Sequence, residues 1–167
     1  MIRPTRISFG GTAGIVTSMA LLAGLQAAHA GTQTLVAALL IAALADNLTD
    51  SLSVHMYQES ERMDRKAAFL GTVVNFATRL LVCLSFVLIA MVLSPPRAAV
   101  AGFLWGMSLL TALTWLIARD RNLGVLSEVA KHLAVALVII AVSRGVGQWI
   151  TLHIDTLLAI GRGVPAS

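Results

Sequence analysis

Five long apolar runs, divided by short polar breaks, organise this chain. They cover residues 7–30, 34–57, 67–93, 98–118 and 132–150, and each reaches or approaches the roughly 20 residues that an α-helix needs to cross a bilayer core. The first break is only "GTQ", and the third is "SPPR", where Pro95 and Pro96 are expected to stop one helix and turn the chain. The second is a charged turn, "QESERMDRK". The fourth, "RDRNLGVLSEVAK", has a plausible break at Asn122-Leu-Gly. The pattern predicts an all-α integral membrane protein, a single domain over 1–167 with five transmembrane helices and no soluble domain or repeat. The start imitates a secretory signal, with "RPTR", an apolar stretch and "AAHA". Its apolar region is long and glycine-punctuated and runs almost directly into more membrane sequence, so a first transmembrane helix is expected instead.

Composition agrees: 57% of residues are hydrophobic and 12% charged, with a mean hydropathy of +0.86. A soluble domain of this size needs far more polar surface. The net charge of +4 does not point to nucleic acid, because no Lys/Arg cluster with interleaved aromatics occurs. The basic residues instead sort by side. Arg3 and Arg6, then Arg62, Arg65 and Lys66, then Arg119, Arg121 and Lys131 fall on one side of the spans, against Arg97 and Arg162 on the other. The positive-inside rule then puts the N-terminus in the cytoplasm and the C-terminus outside; a bacterial cytoplasmic membrane is the expected location. Trp105, Trp115 and Trp149 sit in or near span ends, as interfacial anchors do. Gly10, Gly14 and Gly24 in the first span, and Gly145 and Gly147 in the fifth, would let helices approach closely. The single Cys83 excludes an intramolecular disulfide and a cysteine metal cluster.

One stretch breaks the apolar pattern. "ALADNLTDSLSVHM" (43–56) places Asp46, Asn47, Thr49, Asp50, Ser51 and Ser53 inside the second run. Counted from the outer end near Thr34, Asp46 lies roughly 18 Å deep and Asp50 roughly 24 Å deep at 1.5 Å per residue. On a regular helix the two carboxylates share a face, continued by Ser53 and Tyr57 and flanked by Asn47, Ser51 and Gln58, while Leu44, Leu48, Leu52 and Met56 form the apolar side. An ionised carboxylate at such depth must be protonated, paired or bound to a cation. Arg79, at similar depth in the third span with Asn75 one turn before it, is the natural partner. Two acids against one base leave a surplus negative site. Its oxygen-rich surroundings suit a hard or borderline divalent ion such as Mn²⁺ or Fe²⁺. Thr12 and Met19 lie near one face of the first span as possible gating residues. Glu59 and Glu61 stand at the cytoplasmic mouth, where they either collect cations or balance Arg62 and Arg65. His55 is expected to be packed or interfacial rather than a ligand.

"AGIVTSMALLAGLQAA" (13–28) is similar to a first-helix pattern D-G-[IL]-V-T with an A-G-L/V-x-x-A ending, and "LADNLTDSLSV" (44–54) resembles the second-helix pattern L-A-N-L-L-A-D-G-I-S-M. With "VIIAVSRGVGQWI" (138–150) near the end, the chain resembles the vacuolar iron transporter family. The resemblance implies a homodimer with a metal path between protomers near the first two helices, carrying Fe²⁺ or Mn²⁺ out of the cytoplasm in exchange for protons, with no tightly bound cofactor. It matches Asp50 and Ser53 directly, whereas the family's first-helix Asp falls at Ala13 and its closing Met at Val54. The family's Glu-rich cytoplasmic helices are reduced here to "QESERMDRK", so the resemblance implies a short, divergent member.

The leading expectation is a proton-coupled divalent metal exporter that holds its ion on Asp46, Asp50, Asn47 and Ser53. The alternative is a non-transporting membrane scaffold in which the Asp–Arg cluster is structural. An enzyme using "DNLTD" as a magnesium motif would need further acidic residues inside the spans, and beyond Asp46 and Asp50 none is well inside one. The chain is therefore expected not to be an enzyme.

Overall fold

The computed structural model describes the backbone of residues 4–61 and 64–161 and the side-chain surroundings of residues 9–61 and 64–154. The side chains of Arg3, Arg6, Ser8, Arg62 and Arg162 lie outside that set. Within it every element is helical: α1 (Pro4–Ala27), α2 (Thr32–Ile41), a π-helical turn (Ala42–Asp46), α3 (Asn47–Ser60), α4 (Arg65–Val92), α5 (Pro95–Asp120) and α6 (Val125–Gly161). The segment α2–π–α3 forms one continuous rod, so the described chain has five helices long and apolar enough to cross a membrane.

Helix ends explain where the observed boundaries depart from the apolar runs. Pro95 and Pro96 do not lie in a loop; they open α5 behind Ser94, since a proline in the first turn gives up an N–H that has no helical partner anyway. The turn between α4 and α5 is thus shorter than "SPPR" suggests. α1 ends at Ala27 rather than Ala30. Ala30 N donates to Leu25 O and His29 N to Gln26 O, with His29 at φ 57°; this is the paired bonding that closes a helix through one left-handed residue. α5 ends the same way, with Leu123 N donating to Ala118 O, Asn122 N to Arg119 O, and Asn122 at φ 54°. α6 starts earlier than its apolar run, at Val125, and its first turns carry the Glu128–Lys131 ion pair (2.9 Å).

α1 is the hub, with α4, α5 and α6 packed around it. Small residues set these distances, because helices in lipid associate through close van der Waals packing rather than hydrophobic expulsion. Gly106 of α5 receives Met19 and Gly102 receives Leu22. Gly24 faces Ser143 of α6, whose Oγ donates to Ala20 O at 2.6 Å, and Gly147 lies against the carbonyl of Gly24. Gly145 has open space around it, so of the two fifth-span glycines only Gly147 makes a close approach. Ile15, Met19, Leu22, Leu35, Leu39, Phe86 and Leu110 form the apolar centre. Trp105 donates to Ser85 Oγ (2.9 Å), Arg119 stacks over Trp115, and Trp149 stacks on His153.

A β-carbon at φ 57° costs about 1 kcal/mol that glycine avoids. His29→Gly is therefore expected to raise the unfolding temperature in detergent by a few degrees; no change, or a fall, would mean that the imidazole makes a compensating contact.

Candidate functional site

The π turn decides which polar residues of the second span face inward. Along an unbroken α-helix the direction from Leu35 to Ser51 drifts by about 160°. A π turn contains an extra residue and removes much of that drift. Leu35, Leu39, Ala42, Ala43, Asn47 and Ser51 are consequently all buried, while Leu44, Leu48, Leu52 and Met56 are exposed on the outer side. The regular-helix reading, which put Asp46, Asp50, Ser53 and Tyr57 on the wet face, is corrected accordingly: the buried stripe runs through Asn47 and Ser51. Asp46, Ser53 and Tyr57 are exposed. Ser53 Oγ bonds back to Thr49 O (3.0 Å), so Ser53 is not gathered with the carboxylates.

Facing this stripe, α4 presents Asn75 and Arg79, both buried. Asp50, at the edge of the stripe, pairs with Arg79 Nη1; the Arg79 side chain is 4% exposed and that of Asp50 39%. Asn47 Nδ2 donates to Phe76 O at 2.9 Å. Longer contacts of 3.5 Å link Asn75 Nδ2 to Ser51 Oγ and Ser51 Oγ to Asn47 Oδ1. Toward the basic end of the bundle, marked by Arg65 and Lys66, the line continues. His55 Nδ1 meets Thr72 Oγ1 (3.3 Å), His55 Nε2 lies 3.5 Å from Glu59, and Gln58 packs on Gly71. Buried Asn75 Oδ1, Gln58 Oε1 and Arg79 Nε have no protein hydrogen-bond partner.

α1 closes the third side. A β-carbon at Gly10 would come within 2.8 Å of Asn75 Oδ1, and one at Gly14 within 3.2 Å of Arg79 Cγ. One turn on, Ser18 Oγ meets Cys83 Sγ (3.6 Å). The glycines leave the room that two large polar side chains need. Thr12 and Met19 therefore point elsewhere: Met19 is buried against Gly106, and Thr12 lines a cavity toward α5 and α6. The structure does not bring them to the carboxylates. Glu59 and Glu61 are exposed at the mouth. Sequence reasoning assigned no role to Thr72 and set His55 aside, although the four-residue spacing of Asn47, Ser51 and His55 was a visible sign of one continuing polar face. Among the described residues no three His, Cys, Asp or Glu side chains converge, so any cation held here would rely on Asp50 together with neutral oxygens.

No family model, curated protein or solved structure matches this chain.

Removing one member of a buried ion pair strands the other. Asp50→Ala, which leaves Arg79 uncompensated, is expected to cost about 3 kcal/mol. Arg79→Met should cost less because a stranded carboxyl can be neutralised by a proton whereas a stranded guanidinium cannot shed its charge, and the double variant should recover most of the loss. Thermal unfolding of the three variants checks this order; additive losses would show that the pair carries no coupling.

Proposed function

We propose that this chain is a proton-coupled transporter of divalent metal ions, Mn²⁺ or Fe²⁺, oriented with its N-terminus in the cytoplasm and exporting its cargo. One observation carries the reading: a buried polar seam, holding the paired carboxylate of Asp50, runs between α3 and α4 to Glu59 at the basic end. Structural polar contacts in membranes are normally satisfied, whereas this seam contains unpartnered acceptor oxygens on Asn75 and Gln58. Carboxylate, amide and hydroxyl oxygens suit Mn²⁺ better than soft iron ligation would. The resemblance to the vacuolar iron transporter family, in which Asp50 is a matched position, supports the same reading.

Arg79 supplies a coupling device. Asp50 bound to Arg79 is not free to bind a cation, and a protonated Asp50 releases Arg79. Proton, guanidinium and metal thus compete for one carboxylate. Exposed Asp46, at mid-height of its span, supports a homodimer in which a second copy covers this face, since an uncovered carboxylate in lipid is costly.

The second reading, a scaffold that does not transport, is favoured by the Asp50–Arg79 neutralisation and the absence of a three-ligand cluster among the described residues. Reconstituted vesicles with an imposed pH gradient separate the two. Transport predicts Mn²⁺ flux that falls to the leak of empty vesicles in Asp50→Asn and survives in part in Asp50→Glu. Flux that is absent from the unsubstituted protein, or undiminished in Asp50→Asn, rejects it.

A further inference from the structure

On the side of α1 away from the polar seam, two cavities of about 450 and 440 Å³ share Thr12, Ala13 and His132 and form one groove between α1, α5 and α6. Its composition changes along its length. At the basic end it is walled by Arg121, Lys131, His132 and Glu128. Deeper in, Val16, Leu110, Val135, Ala136 and Ile139 line it. From Arg121 to Leu110 along α5, and from Glu128 to Ile139 along α6, the distance is about 16 Å at 1.5 Å per residue. That is close to half of a 30 Å hydrocarbon core, the depth of one leaflet. Val135 and Ile139 on the α6 rim are exposed, so the groove opens sideways to the bilayer.

From this geometry we infer that the groove is a binding site for an anionic glycerophospholipid of the leaflet at the basic end, its phosphate between Arg121 and Lys131 and one acyl chain along Val16, Leu110 and Ile139. Charge complementarity selects the anionic headgroup. Lys131 is bound to Glu128 at 2.9 Å but is a three-donor ammonium that can also serve a phosphate, and Arg121 has no ion-pair partner among the described residues. A divalent cation fits poorly here, because Glu128, the only carboxylate lining the mouth among the described residues, is already held by Lys131. A soluble anion would gain nothing from the apolar lower half. Basic pockets between transmembrane helices at a cytoplasmic surface are suited to such headgroups.

Native mass spectrometry of the whole chain in detergent, titrated with phosphatidylglycerol and with phosphatidylcholine of identical acyl chains, tests the site. The expected result is a preference for phosphatidylglycerol of about tenfold, reduced to near parity in Arg121→Gln/Lys131→Gln. Ala13→Phe, which fills the groove without touching the charges, should weaken binding of both lipids at that site. Thermal unfolding identifies any variant that has lost its fold, and Arg121→Gln alone, at an exposed position, then serves as the readable substitute. Equal binding of the two lipids, or a preference unchanged by the charge variants, would overturn the assignment. Full displacement by glycerol 3-phosphate would also overturn it, by showing that the headgroup alone is recognised.

Discussion

An arginine held at mid-height of a membrane helix is the constraint around which this bundle is built. Arg79 is buried on α4, where an unpaired guanidinium is prohibitively expensive. Two conditions make its position tenable. Asp50 provides the opposite charge, and Gly14 leaves space for the aliphatic stem, with Gly10 doing the same for Asn75 one turn below. The close approach of α1 to α4 and the polar seam are therefore a single arrangement. Larger side chains at Gly10 or Gly14 would push the helices apart and strand the charges.

The second span meets the same constraint by a different route. Its buried positions above the break are leucines and below it Asn47 and Ser51, so apolar and polar halves of one rod must face the same neighbours. A regular helix would rotate the lower half away. The π turn at Ala42–Asp46 corrects the phase and leaves a local irregularity beside the carboxylates, a placement common at functional positions. It also carries the exposed Asp46 to the outer face, where only lipid or another protein surface can meet it.

These two devices explain what could be read from the chain alone. Five spans follow from apolar length, which depends on composition and not on phase. Depth alone suggests Arg79 as partner for one of the two carboxylates without choosing between them, and the structure pairs it with Asp50. The inward stripe of the second span lies beside the expected one, on Asn47 and Ser51 rather than Asp46 and Ser53. Polarity marks a wet face only coarsely, and the phase set at the π turn decides which residues meet α4. The fates of Thr12 and Met19 were equally hidden. Helical spacing places them near one face, but which neighbour that face meets depends on where glycines permit approach, and α1 has small residues on several sides. Pro95 and Pro96 were correctly read as interrupting a helix, yet the same residues begin the next one.

α1 separates two different environments with a wall one helix thick. Ala13 lines the groove toward α5 and α6, and its neighbour Gly14 lies against Arg79. Gly10 lies against Asn75, Gly14 against the Arg79 stem and Ser18 against Cys83, which sets the approach of α1 to α4. Close packing of this kind leaves little slack between α1 and α4. Because Arg79 has exchanged water for one carboxylate and a glycine-lined slot, its freedom to leave Asp50 depends on the width of that slot. The glycines that allow the charge to be buried also hold its stem in place.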